Sequence, residues 1–241
     1  MAAHQPIIEL KNVSFAYGAQ PTLHNLNLTV EPGEYVGVIG PNGGGKTTLI
    51  KLLLGLLQPQ EGTVELFGTP ARQFKDRSKI GYVPQRIGSN DFRLPITVLE
   101  VVRFGAPRGS EQRARASLTQ LDIENLALRR LSELSGGQQQ KVFIAKALAS
   151  QPEVIILDEP TAGVDVKAQD DFYQLLASLN KQHGLTIILV SHDIDVVVNE
   201  VSKLACINEE LVYHGLPKDF IEKDYINKLY GKTRKFILHG H

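Results

Sequence analysis

Apolar residues recur at every second position in the first part of the chain, Ile8 and Leu10, then Val13, Phe15 and Tyr17, and the pattern predicts a strand from Ile7 that stops at Gly18. Leu26, Leu28 and Val30 repeat the spacing and run into the turn Glu31-Pro32-Gly33. Strands joined by links this short pair antiparallel. A short apolar run, Tyr35 to Ile39, makes a third strand; beyond it Leu49, Ile50, Leu52, Leu53 and Leu56 fall on a helical period through Leu57. The turn Pro59-Gln60-Glu61-Gly62 leads to another short strand, Thr63 to Phe67, and Lys79 to Val83 is the next, closing at Pro84-Gln85.

From there to about Ser150 the strand signal vanishes. Helical patterns replace it over Val98 to Phe104, Gln112 to Leu121 and Gln138 to Ala149, so the stretch of about 86–150 reads as a helical subdomain inserted between two strands. Val154-Ile155-Ile156-Leu157 has no polar face and is a fully buried strand, as is Thr186 to Val190. Between them Val166 to His183 is a helix with Phe172, Leu175, Leu176 and Leu179 on one side. Two shorter strands, Lys203 to Ile207 and Leu211 to His214, and a helical tail over about 217–241 complete the chain. The expected architecture is α/β, one domain over 1–241, with an N-terminal antiparallel β layer beside a mixed sheet whose core is parallel.

Composition narrows the function. At 241 residues the chain can bury a sizeable core. Lys plus Arg and Asp plus Glu number 26 each, so no whole-chain field draws nucleic acid or anionic lipid, and a nucleic-acid partner is not expected. Cys206 is the only cysteine, which excludes an internal disulfide and fits a small core residue in a reducing compartment. The start, Met1-Ala-Ala-His-Gln-Pro, has neither a basic nor an apolar signal region, and the apolar runs fall far short of the ~20 residues that span a bilayer. Work at a membrane would go through a partner.

The chemistry centres on Gly40-Pro41-Asn42-Gly43-Gly44-Gly45-Lys46-Thr47-Thr48, which fits G-x-x-x-x-G-K-[ST] between a strand and a helix. The glycines let the backbone turn several N–H groups onto one polyphosphate, and the helix start near Gly45 adds roughly 0.3–1 kcal/mol in favour of an anion. Lys46 is expected on the β- and γ-phosphates and the Thr47 hydroxyl on Mg²⁺. A plain glycine-rich turn has no use for Lys-Thr at that offset. The expected core is that of the phosphate-loop NTPase fold, and by itself the motif says nucleoside triphosphate and leaves the class of enzyme open.

The Val154 strand ends in Asp158-Glu159-Pro160, and in an open parallel sheet ligands sit outside the carboxyl ends of the strands. Asp158 is placed to hold Mg²⁺ and Glu159 to polarise an attacking water; without the phosphate loop, both would read as solvated loop acids. Ser191-His192-Asp193 ends another strand of the same sheet, and only that location argues for His192 near the γ-phosphate. Gln85 follows a third strand and by itself is no more than a loop glutamine. Tyr17 either stacks on a base or fills the apolar face with Phe15. Ser135 suits an N-cap, with Gly136 and Gly137 exposing backbone N–H groups ahead of the helix at Gln138. This second anion-ready helix start lies in the helical insertion, so its phosphate would belong to a second copy of the chain.

These residues together resemble the nucleotide-binding subunits of the ABC transporter superfamily over about Ile7 to Gly215. The phosphate loop is similar to that family's Walker A, Leu134-Ser135-Gly136-Gly137-Gln138 to its signature, and Val154 to Glu159 to its Walker B. Gln85 matches the Q-loop, Ala162-Gly163-Val164-Asp165 the D-loop, His192 the switch histidine and Tyr17 the adenine-stacking aromatic. Gly44 departs from the usual alanine or serine, and the D-loop reads Gly-Val-Asp where many members have Ala-Leu-Asp. The resemblance implies ATP and Mg²⁺, catalysis by Glu159, His192 and Gln85, and Mg²⁺ on Thr47, Gln85 and Asp158. It also implies two chains that close head to tail, Ser135, Gly136 and Gly137 of each, with Asp165, serving the nucleotide of the other. A polytopic permease, and through it a substrate-binding protein, would hold the chain at the cytoplasmic face of the membrane. The stretches Gly81 to Gln85, Thr97 to Val102 and Leu134 to Gln140, with the Gly163-Val164-Asp165 loop, are similar to subunits that energise zinc, manganese or iron uptake. A soluble ATPase of the same superfamily that serves iron–sulfur assembly would share every catalytic residue. His239 and His241 form an H-x-H pair, short of the three or four ligands a zinc site takes.

Overall fold

The structure, a computed structural model, describes residues 5–85, 95–161 and 166–222. In chain order it runs β1 (Ile8–Tyr17), β2 (Gln20–Val30), β3 (Tyr35–Ile39), α1 (Lys46–Leu53), β4 (Glu61–Leu66), β5 (Thr69–Pro70), β6 (Ile80–Val83), α2 (Val98–Arg103), α3 (Glu111–Gln120) and α4 (Gly136–Leu148). It continues through β7 (Val154–Asp158), α5 (Val166–His183), β8 (Thr186–Val190), α6 (Ile194–Glu200), β9 (Lys203–Asn208), β10 (Glu210–Gly215) and α7 (Pro217–Glu222). Contacts divide the chain into two compact units, 1–75 with 188–241, and 76–187.

The first unit holds an antiparallel sheet in the order β2-β1-β4-β5. Ile8 and Leu10 face its core, then Lys11 and Asn12 both point outward and Val13 returns inward. Asn12 is the inserted residue: its φ is +50°, its N–H donates to Asn27 Oδ1 at 2.9 Å, and the register against β2 shifts between Leu10 and Val13. This bulge is why the sequence keeps its apolar spacing only in two pieces. The same unit carries the strand order β10-β9-β3-β8, antiparallel between β10 and β9 and parallel between β9 and β3. All five residues of β3 are buried. Helix α6 approaches β3 at Gly37, where any Cβ would come within 2.3 Å of Val197. Cys206 pairs with Ile39 in the core, where burial pushes its thiol pKa up and leaves it an inert filler.

Helix α1 is shorter than the leucine pattern predicts. Gly55, at φ +68°, lets Leu56 N–H reach Lys51 O at 2.8 Å and Gly55 N–H reach Leu52 O at 3.0 Å, a Schellman ending that leaves Leu56 exposed.

The second unit holds β6 and β7 in parallel register. Helix α2 starts on a capping box, Thr97 with Glu100, and α2, α3 and α4 bury Val98, Val101, Val102, Ala114, Leu118 and Ile144. Gly105 lets the chain after α2 cross α4, since a Cβ there would meet Lys146 O at 1.8 Å. Helix α5 has the predicted bounds, with Phe172, Tyr173, Leu176 and Leu179 buried; Tyr173 takes the place expected of Leu175. Among the described residues no helix is long and apolar enough to cross a membrane.

Candidate functional site

In the first unit β3 delivers the chain to Gly40, whose missing Cβ admits the Ile207 carbonyl of β9; a methyl there would sit 1.9 Å from that oxygen. Gly43 and Gly45 take φ values of +81° and +97°, conformations that side chains resist. Gly44 N–H donates to Pro41 O at 3.1 Å, and Gly44 O accepts from Glu209 N–H at 3.0 Å, which ties the loop to the β9–β10 turn. Helix α1 then begins with no side-chain cap and no acid in its first turn, so nothing negative on the helix itself competes at its positive end. Lys46 is only 6% exposed, and its ammonium donates to Gly40 O at 2.8 Å and Pro41 O at 3.0 Å. Asn42 and Thr47 are exposed and Thr48 is buried.

His192 follows β8, whose end is set against β3 by Ser191 N–H donating to Val38 O at 3.1 Å; the imidazole is exposed. Tyr17 ends β1 at 47% exposure, packs edge-on against Phe15 with centroids 5.0 Å apart, and has Lys51 Nζ 5.8 Å from its ring centre. It is not a core filler.

In the second unit β7 ends at Asp158, which is 6% exposed, and the next residue, Glu159, takes φ +44° without being glycine. Gln85 Nε2 donates to Glu159 Oε2 at 2.5 Å, so the structure brings these two candidates together. The following residues are braced from two helices. Gln140 of α4 donates to Pro160 O at 2.6 Å, and the hydroxyls of Thr161 and Tyr173 lie 3.1 Å apart. Burial first, and the nearby charge of Asp158 next, raise the Tyr82 phenol pKa.

Ser135 caps α4 as its sequence suggests. Its Oγ accepts from Gln138 N–H at 3.3 Å while Gln138 Oε1 accepts from Ser135 N–H at 3.1 Å. Gly136 and Gly137 lie inside the first turn, and a Cβ on Gly136 would meet nothing within 4 Å, so the space in front of this helix start is open. A cleft of about 310 Å³ lies beside it, lined among others by Asp122, Asn125, Gln138, Lys141 and Asp171. Asp165, His239 and His241 lie outside the described residues. Among the described residues no three of His, Cys, Asp and Glu gather as a metal cluster.

Sequence reading assigned no role to Gln140 or Tyr82. Gln140 had a signal: it falls in phase with Ile144 and Leu148, a polar residue on a buried stripe, and it is 2% exposed. Tyr82 had none, because its place beside Asp158 is set by strand register.

Residues 23–162 match the family described as ABC transporter. Over 224 residues the chain is 41% identical to the Zinc uptake system ATP-binding protein ZurA of Listeria innocua, covering 89% of this chain and 87% of that one. Over 241 aligned residues it is 36% identical to the Manganese transport system ATP-binding protein MntB of Bacillus subtilis, covering 95% and 94%. It also superposes, at a TM-score of 0.73 and 32% identity, on an ATP-binding cassette solved as a dimer in a post-hydrolysis state with ADP and Pi, covering 87% of this chain and 98% of that one.

Proposed function

Because the chain belongs to the ABC transporter family and is an ATPase of that family, we propose that it powers the import of a transition-metal ion, zinc or manganese, through a membrane permease. The observation that carries the cargo is its likeness, over most of its length, to subunits named for zinc uptake and manganese transport. The permease would hold it at the cytoplasmic face and receive the ion from a substrate-binding protein.

The residues take the following parts. Lys46 exchanges the neutral carbonyls of Gly40 and Pro41 for the β- and γ-phosphates of ATP, a change of acceptor that favours a cation. The N–H groups of Gly43 to Thr48 surround the same phosphates, and Tyr17 offers its exposed ring to the adenine. The donors assigned to Mg²⁺, the Thr47 hydroxyl, the Gln85 amide oxygen and the buried Asp158 carboxylate, are the hard oxygens that this ion takes. When bound, Mg²⁺ neutralises charge that builds on the phosphate oxygens.

Glu159 accepts a proton from water as the water oxygen bonds to the γ-phosphorus, and the bond to the bridging oxygen breaks with its electron pair leaving on ADP. Gln85 has to turn away first, since its amide occupies an oxygen of that carboxylate. His192 acts on the transferring phosphoryl group. The open front of α4 supports the closing of two copies, Ser135, Gly136 and Gly137 of one meeting the γ-phosphate held by Lys46 of the other, with Asp165 beside it.

The test is made on the chain assembled with its permease in vesicles loaded with ATP, with the binding protein outside and Zn²⁺, Mn²⁺, Fe²⁺ or chelated iron supplied in turn. ATP-dependent uptake of Zn²⁺ or Mn²⁺ is expected. Movement of a sugar, an amino acid or a lipid with neither of those ions would overturn the cargo.

A further inference from the structure

The last residues of β1 run past the strand that flanks them. Pairing of β1 with β4 ends where Ser14 lies opposite Glu61, and on the other side Ala16 lies opposite Pro21 of β2, a residue with no N–H to donate. A side chain fills the gap. Gln60, in the turn before β4, donates its backbone N–H to Ser14 O at 2.9 Å, its Oε1 accepts from Ala16 N–H at 2.9 Å, and its Nε2 donates to Ala16 O at 3.3 Å. The side-chain amide thus does what the next peptide group of a neighbouring strand would do, and carries the ladder past the end of β4. The next residue is Tyr17, whose exposed ring leans on Phe15 and has the Lys51 ammonium 5.8 Å from its centre. A strand end without a partner on one side opens easily, and here it is the end that presents the ring.

We propose that Gln60 is a positioning residue for the nucleobase: by clamping the N–H and the carbonyl of Ala16 it fixes the place of the Tyr17 ring on which the base stacks. The proposal rests on the assignment of Tyr17 to adenine. An aromatic platform held in place before the ligand arrives lowers the ordering cost of binding. The effect therefore falls on the share of the affinity that the base supplies and spares the share that the phosphates supply.

The experiment uses the full-length chain and two ligands in the presence of Mg²⁺: a non-hydrolysable ATP analogue, and inorganic tripolyphosphate, which carries phosphates and no base. Dissociation constants are measured by calorimetry for wild type, Tyr17→Ala and Gln60→Met. Tyr17→Ala is expected to lose about tenfold or more of the preference for the nucleotide over tripolyphosphate. Gln60→Met, which keeps the length of the side chain and loses both of its hydrogen bonds, is expected to bind the nucleotide about three- to tenfold more weakly while its affinity for tripolyphosphate stays at the wild-type value. A change of under about twofold, or equal weakening with both ligands, overturns the proposal and leaves Tyr17 as the seat of the base. If Tyr17→Ala keeps the full preference, the assignment of the base itself falls and this proposal with it. Should Gln60→Met fail to fold, Gln60→Glu, which keeps an acceptor for Ala16 N–H and loses the donor to Ala16 O, is read by the same criteria.

Discussion

The loop from Gly40 to Thr48 and the loop from Asp158 to Thr161 both leave buried strands, but the first is shaped by backbone and the second is held by side chains. Glycines at positive φ, a carbonyl packed where a Cβ would be, and main-chain hydrogen bonds to Pro41 and Glu209 form the first. The second depends on Gln140 of α4, Tyr173 of α5 and Gln85 beyond β6, and on a non-glycine residue in a left-handed conformation. A loop made of backbone has one shape and suits the task proposed for it, the same in every cycle, of receiving phosphates. A loop gripped by side chains can be released by moving one of them, which suits the role proposed for Glu159, a carboxylate that acts only on cue.

The sharpest test of this contrast is Glu159→Gln. It should bind MgATP as before yet hydrolyse it at least ~100-fold more slowly, since acid–base positioning contributes about 10²–10⁴ in rate. ATP should then keep two chains together, which light scattering at saturating MgATP reads directly; a monomer, or near-normal turnover, defeats the assignment. In the other loop, Lys46→Ala should lose ATP binding itself, because an ammonium ~4 Å from a phosphate charge is worth a few kcal/mol at an effective dielectric near 20. His192→Ala should bind normally and turn over slowly, and equal binding losses in the two variants would contradict the division between holding and acting.

Smaller changes probe the scaffolds. Gly40→Ala should destabilise by about 1–3 kcal/mol, as overpacking does, because its methyl would lie 1.9 Å from Ile207 O. Gly44→Ala, whose methyl would lie 3.0 Å from the same oxygen, should be tolerated after a shift of a few tenths of an ångström. Gln140→Leu should cost about 1–3 kcal/mol by stripping the Pro160 carbonyl of its donor, together with a fall in turnover while ATP affinity holds. Denaturant melts of the three variants rank them, and a Gly40→Ala as stable as wild type would sink the claim that backbone contact shapes that loop.

The mildest effect lies on neither loop. Burial, with Lys203 nearby, lowers the His214 pKa from 6.5, and its Nε2 is buried with no hydrogen-bond partner. A depressed folded value means that the unfolded chain takes up the proton first, so stability is full above pH 6.5 and declines as pH falls toward the lower folded value. Melts between pH 7 and 5 should show this decline in wild type and a shallower one in His214→Gln.

Much of this was readable in advance where one residue type serves one purpose. The phosphate loop announces itself because only glycine fits its turns, and α5 because its apolar residues from Phe172 to Leu179 keep a helical step. Ser135 was legible as a cap because capping is a local matter. Less was legible where two rules compete. The leucines after Lys51 continue a helical period that Gly55 ends, and α6 is written in Ile194, Val197 and Val198, residues that favour strands and become a helix by packing on Gly37. The braces of the second loop were illegible for another reason. Gln140 to Pro160 and Gln85 to Glu159 join residues far apart in sequence, and neither pair carries a pattern that names its partner.

The left-handed conformation of Glu159 has a consequence for anyone who selects variants of this chain. A residue other than glycine or asparagine gives up roughly 1–3 kcal/mol to sit in that region. A library enriched only for survival on heating should therefore drift toward glycine or asparagine at position 159, and each such winner would be a robust protein that no longer splits ATP. A screen that pairs heat challenge with turnover should instead keep the glutamate and find its gains elsewhere, so the frequency of glutamate among the survivors reports how much tension the working site retains.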